Sequence, residues 1–227
     1  MKAGLVTRPT LYLDLDGCVI DSRASIAASV DEALRRYGLA ALAADEIDGL
    51  IGPPILAGFE RLLARRNSSQ PSPAQLVATF RERYAVVSLT QTTLFPGMEA
   101  ALEALGTRAA LVVVTSKARF LAVPILEALG IADRFEAIFG PAPDRPAEPK
   151  TETLARALAG RPRTAGECMI GDRSHDIDAG RAHDMPTIGV TWGSGSAAEL
   201  TQAGADYVVD DPADLAPVCA SIARLER

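Results

Sequence analysis

Lysine is almost missing from this chain. Of its 23 basic residues, 20 are Arg and three are Lys: Lys2, Lys117 and Lys150. With so few, the place of each carries information. Cysteine is scarce too. Cys18, Cys168 and Cys219 are odd in number, far apart and form no CxxC pair. That excludes a disulfide frame and a cysteine–zinc site, and it reads as a reduced, cytoplasmic protein. No apolar run approaches ~18 residues, so no transmembrane helix is expected. Residues 1–10 lack the apolar stretch and small-residue cleavage site of a secretory signal. Positive charge is in deficit, with a net charge of −6, which argues against nucleic acid or an anionic membrane as the main partner. There are no internal repeats and no low-complexity tails.

What is present is a globular composition. The 227 residues are 48 % hydrophobic and 23 % charged, which excludes wholesale disorder and fits one large domain or a domain with a sizeable insert. Short apolar runs at Leu11–Leu13, Ala109–Val114, Ala137–Phe139, Cys168–Ile170, Thr187–Val190 and Tyr207–Val209 read as buried strands. Helical stripes lie between them, such as Met98, Ala101, Leu102 and Leu105, or Leu121, Ile125, Leu126 and Leu129. This alternation predicts an α/β fold: a Rossmann-like, open, parallel sheet covered on both faces. Residues 22–88 break the rhythm. They show no strand but three helical stripes: Ile26, Val30, Ala33, Leu34 and Tyr37; Ile55, Phe59, Leu62 and Leu63; Leu76, Phe80, Tyr84 and Val87. A small all-helical unit of about four helices is expected there, inserted after the first strand. The rest, 1–21 and 89–227, forms the core domain.

In open parallel sheets ligands bind outside the carboxyl ends of the strands. The first strand runs into Asp14-Leu15-Asp16-Gly17, and the two acids fall on one side of an extended chain. The second ends in Thr115-Ser116-Lys117, hydroxyls before a helix start, which suits an anion. Lys150 opens a helix after the proline-rich loop 140–149. A lysine there works against the helix dipole, so its charge answers to a ligand or to the acids. A later strand ends in Gly171-Asp172-Arg173-Ser174-His175-Asp176, with Asp172 and Asp176 four apart on one helical face. Each feature also has a local reading. Asp-Gly is a common turn, the hydroxyls and Asp172 suit N-caps, and Asp176 suits a first helical turn. No local reading explains why they gather on one sheet edge. Hard oxygen ligands at this density suit Mg²⁺, and the lysine and hydroxyls suit phosphate oxygens.

The segment Asp14-Leu15-Asp16-Gly17-Cys18-Val19-Ile20-Asp21-Ser22 resembles the first motif of the haloacid dehalogenase superfamily. Thr115-Ser116-Lys117, Lys150 and Gly171–Asp176 resemble its second, third and fourth, in order. The helical insert resembles the family's helical cap, and Phe95-Pro96-Gly97 the return to the core. Gly52-Pro53-Pro54 resembles the cap loop of phosphoglycolate phosphatase-like and 5′-nucleotidase-like members. The resemblance implies a Mg²⁺-dependent phosphomonoester hydrolase acting on a small phosphorylated metabolite. Asp14 would be nucleophile and metal ligand. Asp16 would be general acid/base and offer its backbone carbonyl to the metal. Thr115, Ser116, Lys150 and the Gly17 backbone would hold the phosphoryl group. Asp172 would complete the metal site, with Asp176 supporting it or orienting Lys150. Gly52 and Pro53 would read the leaving group.

Two departures stand out. Cys18 replaces the usual Thr or Val, and Lys150 follows a proline, which leaves Arg145 as a rival cation. Within the family, Asp16 and Asp172 argue against a dehalogenase. The absence of lysine from 22–88 argues against a Schiff-base phosphonatase. A sugar-phosphate mutase stays open, as does a non-catalytic binding protein. Arg23 and Arg61 read as solvated, or as contacts to a second anionic group. His175 and Trp192 read as structural. The expected assembly is a monomer or homodimer.

Overall fold

All six expected strands form, and two short ones join them. The computed structural model describes residues 8–142, 144, 145 and 147–225. Lys2 and most of the stretch scanned for a signal lie outside the described residues. The strands are β1 (Thr10–Leu13), β2 (Ile20–Asp21), β3 (Thr93–Leu94), β4 (Ala110–Val114), β5 (Ala137–Phe139), β6 (Cys168–Gly171), β7 (Thr187–Val190) and β8 (Tyr207–Val209). Six of them make one sheet in the order β5-β4-β1-β6-β7-β8, with every pairing parallel. β1 lies between β4 and β6 and is buried throughout.

Side chains alternate across the sheet. Leu11, Leu13, Leu111, Val113 and Ile170 join one apolar layer, while Tyr12, Val112, Val114 and Met169 join another with Leu154 and Met185. Each such side chain contributes roughly 1.5–3 kcal/mol of transfer free energy. Helices α1 (Arg23–Arg36), α2 (Ile55–Arg65) and α3 (Pro73–Gln91) precede β3. The others are α4 (Met98–Gly106), α5 (Arg119–Ala128), α6 (Lys150–Leu158), α7 (Ser174–Arg181), α8 (Ala197–Ala203) and α9 (Leu215–Leu225). No helix among the described residues is long and apolar enough to cross a membrane.

The chain leaves and re-enters the core through the antiparallel pair β2–β3. Two residues per strand are too few to show a hydrophobic period, so sequence reading overlooked this ribbon. Between its strands lie three α-helices and a 3-10 turn (Ile47–Leu50), rather than about four helices. α3 starts at a reciprocal Ser72–Gln75 capping box and continues past Ser88 to Gln91. The expected stripes are mostly buried, and Phe80 lies edge-on to Phe59 and stacked on Tyr84, with centroids 6.1 and 5.0 Å apart. Ile55 is only half-buried, and Tyr37, the residue ending α1, lies 37 % exposed.

Candidate active site

The parallel register brings the ends of β1, β4 and β6 to one edge. β1 hands the chain to Asp14, whose amide donates to Ile170 O at 2.9 Å. Asp14, Asp16, Thr115, Lys150, Asp172 and Asp176 are all buried there. The turn between the two acids and β2 depends on Gly17, which has φ +85°. A Cβ at Gly17 would stand 2.2 Å from Asp172 Oδ2, so only glycine lets the strands' ends approach this closely.

Carboxylate oxygens of Asp14, Asp172 and Asp176 lie within 4.8 Å of one another. Lys150 Nζ sits 2.8 Å from Asp14 Oδ1 and donates to Asp176 Oδ1 at 2.5 Å. Asp176 Oδ2 accepts from the Arg173 amide at 2.9 Å, so both of its oxygens are engaged. Asp172 Oδ2 accepts from the Ser194 amide at 2.8 Å. Asp172 Oδ1 is buried with no hydrogen-bond partner, whereas buried Asp14 Oδ1 has the Lys150 ammonium as its ion-pair partner. A buried carboxylate oxygen left without a partner is costly, and a hard divalent cation held by Asp172 and Asp14, whose oxygens lie within 4.8 Å of one another, fits that donor set. Burial, opposed by Lys150 and reinforced by Asp176 and Asp172, pushes the Asp14 carboxyl up to about 8. Burial and then Asp176 push Asp172 up to about 7. Lys150 is held above its ordinary value, because the charges of Asp14 and Asp176 outweigh its desolvation.

Asp16 faces a different set of partners. Its Oδ1 accepts from Ser22 Oγ at 2.5 Å and lies 3.0 Å from Lys117 Nζ. Lys117 also donates to Tyr84 OH at 2.6 Å, so α3 of the insert reaches the core through this tyrosine. Sequence reading named both residues, Lys117 in the second motif and Tyr84 in a helical stripe, but gave neither a part in the site. Tyr84 belongs to an apolar stripe, which it completes, while its hydroxyl serves the site. The signal for Lys117 was its rarity and its place directly after Thr115-Ser116.

Lys150 starts α6 as expected, from a loop that buried Glu148 pins. Glu148 accepts from the Ala142 amide, Thr153 Oγ1 and Arg156 Nε at 2.9, 3.1 and 2.9 Å. The rival Arg145 is exposed and paired with Glu152. Thr115 Oγ1 accepts from the Lys117 amide at 3.1 Å, and Ser116 lies beside it, half-buried. Neither hydroxyl caps α5, whose N-cap is Ala118. Nor does Asp172 cap α7, since Arg173 holds that position. Gly52 and Pro53 are both half-buried. Gly52, with φ +93°, abuts Arg173 and His175. Arg23 pairs with Asp48, and Arg61 donates to Gly49 O at 2.8 Å, so both brace the insert's own loop. Cys18 is a buried packing residue whose carbonyl receives Trp192 Nε1 at 2.8 Å. A cavity of about 310 Å³ lies at the opposite edge of the sheet, among Leu11, Leu105, Ala109, Ala216 and Cys219. It is lined by no acid or lysine and has no part in this chemistry.

An open parallel sheet that gathers buried acids and a lysine at one edge, beneath a helical insert, defines an α/β protein with an acid-centred site. Residues 11–190 match the family model of haloacid dehalogenase-like hydrolases, and the chain belongs to that family. It is 36 % identical over 189 residues to the tyrosine-protein kinase PtkA of Mycobacterium tuberculosis, covering 82 % of this chain and 63 % of the relative. The chain thus spans less than two thirds of that protein's length. A 5′-nucleotidase of Pseudomonas aeruginosa is 33 % identical, with 88 % and 90 % of the two chains covered. A phosphoglycolate phosphatase of Agrobacterium fabrum is 32 % identical, with 92 % and 91 % covered. Among solved structures, a predicted phosphatase from Clostridium acetobutylicum superimposes with a TM-score of 0.84 at 27 % identity, covering 95 % of this chain and 99 % of its own.

Proposed function

We propose that this protein hydrolyses a small phosphomonoester through a phosphorylated Asp14, with Mg²⁺ as cofactor. The observation that carries the reading is the division of labour at the tip of β1. Asp14 faces Lys150 and the acids Asp172 and Asp176, while Asp16, two residues on, faces Lys117, Ser22 and the insert. Two carboxylates with separate environments suit two roles.

An Asp14 oxygen bonds to phosphorus as the bond to the leaving oxygen breaks, and Asp16 gives that oxygen its proton. Asp16 then takes a proton from water, whose oxygen displaces Asp14 from phosphorus. Lys150 offsets the negative charge that Asp14 and a phosphoryl group would otherwise share. Thr115, Ser116 and the Gly17 backbone hold phosphoryl oxygens. Asp14, the Asp16 carbonyl and Asp172 would hold the cation, with Asp176 fixing Lys150 beside them. When bound, Mg²⁺ supplies positive charge that lets an anionic nucleophile approach an anionic phosphate. The insert, residues 22–88, serves as a cap that excludes water during the first step, with Gly52 and Pro53 near the leaving group.

The names of the pseudomonad and agrobacterial relatives support two substrates, nucleoside monophosphates and phosphoglycolate. The test is phosphate release across a panel of phosphorylated metabolites, with Mg²⁺ or with EDTA, and with Asp14→Asn as the blank. Turnover that EDTA abolishes and Asp14→Asn lacks is expected. Transfer from ATP to a protein tyrosine, with no phosphomonoester hydrolysed, would replace this reading with the activity named for the mycobacterial relative.

A further inference from the structure

Arg173 lies between Asp172 and the helix that carries Asp176, yet its side chain leaves the acids and crosses to the insert. Its Nη1 donates to Ile51 O at 3.0 Å and approaches Asp48 O at 3.4 Å. Its Nε donates to Glu199 Oε1 at 3.0 Å, and the same oxygen accepts the Ser174 amide at 2.9 Å. Glu199 therefore anchors both the guanidinium and the backbone of the acid-bearing loop. The surrounding glycines make room for this path. A Cβ at Gly52 would stand 3.0 Å from Arg173 Cγ, and one at Gly195 would stand 3.3 Å from Arg173 Cδ and 1.7 Å from Asp172 O. Three loops, 47–53, 171–176 and 193–199, thus converge on one side chain.

We propose that Arg173 is a positioning residue that fastens the insert's 47–53 loop to the segment carrying Asp172 and Asp176. One side chain then links the insert's loop to the segment that sets the acids. Charge-assisted donation to the loop carbonyls and to Glu199 makes this a strong polar link between that loop and the core. Lysine could not replace it, because one ammonium lacks the fork that meets Glu199 and Ile51 together. The kinetic consequence, though not the fastening itself, rests on the hydrolase reading. A released loop would bind the leaving group less well and so raise KM more than it lowers kcat.

The test is amide hydrogen exchange on the full chain, comparing wild type with Arg173→Met. Exchange in 47–53 should rise at least about threefold while α5 amides stay at wild-type protection. A smaller rise, or an equal rise in α5, overturns the proposal. If Arg173→Met fails to fold, Glu199→Ala, which removes the anchor for Nε, decides by the same criterion. Trp192, the chain's single tryptophan, borders a cleft shared with Ile51, Gly17 and Ser194, and its emission should change in the same variant. In turnover assays KM should rise about threefold or more, with kcat within about twofold of wild type. Loss of kcat at unchanged KM contradicts the positioning role. A wild type that turns over no phosphomonoester sinks the hydrolase reading, and the exchange result still decides the fastening.

Discussion

Lys117 Nζ lies 3.0 Å from Asp16 Oδ1 and donates to Tyr84 OH at 2.6 Å. One lysine thereby links the second carboxylate of the β1 tip to the insert. The charge of Asp16 and then the Tyr84 contacts keep this lysine above its ordinary value despite burial, so it stays protonated through neutral pH.

Removing that ammonium should misplace the proton donor. Lys117→Met is expected to lower kcat by about 10²-fold or more, the range lost with a general acid/base. The loss should be larger for an alkyl phosphate than for p-nitrophenyl phosphate, whose leaving group needs no proton. Tyr84→Phe keeps the ring that stacks on Phe80 and removes only the hydrogen bond from the Lys117 ammonium, worth about 1.5–3 kcal/mol, so it should lower kcat less than Lys117→Met. Steady-state kinetics on both substrates checks the order.

The acid cluster predicts a linkage between metal and pH. Asp14 and Asp172 are pushed up to about 8 and about 7, against about 3.9 in an unfolded chain. Between those values the folded metal-free protein binds more protons than the unfolded one. Its stability therefore falls as pH rises from about 4 to about 8, and then levels as far as these groups are concerned. A cation binds the deprotonated acids, releases protons, and removes this penalty. Thermal melts should show a larger gain in Tm from Mg²⁺ near pH 8 than near pH 5. Equal gains would argue that these acids do not hold the cation.

Gly17→Ala places a methyl against Asp172 in a backbone region that alanine resists. We expect a loss of about 1–3 kcal/mol in urea unfolding and weaker Mg²⁺ binding by calorimetry. The same substitution at Gly106, where a Cβ meets nothing within 4 Å, should leave Mg²⁺ binding unchanged.

Much of this site was legible because its residues follow strands. Near-continuous apolar runs locate the strand ends, and Asp14, Asp16, Thr115, Lys150, Asp172 and Asp176 stand directly after them or at the helix that follows. The parallel sheet does the rest, since it brings every such end to one edge. What escaped was nonlocal. Nothing near Tyr84 says that its hydroxyl meets Lys117, and nothing near Arg173 says that it crosses to Ile51. Both contacts depend on how the insert sits on the core. Asp16 turned toward Lys117 and Ser22 was equally invisible, because side-chain direction at a turn follows from partners, not from period. Tyr37 failed for a simpler reason: its stripe runs past the last turn of α1.

Phosphorylation of Asp14 is the central claim. Asp16→Ala should still be attacked by p-nitrophenyl phosphate, yet lack the base that activates water for the second step. Mixing this variant with p-nitrophenyl phosphate and Mg²⁺, then quenching in acid, should give a burst of nitrophenol equal to the enzyme present. Intact and peptide mass spectra should show one phosphoryl group, labile to hydroxylamine, on Asp14. Nitrophenol released with no covalent label, or a label on any other residue, would contradict the account.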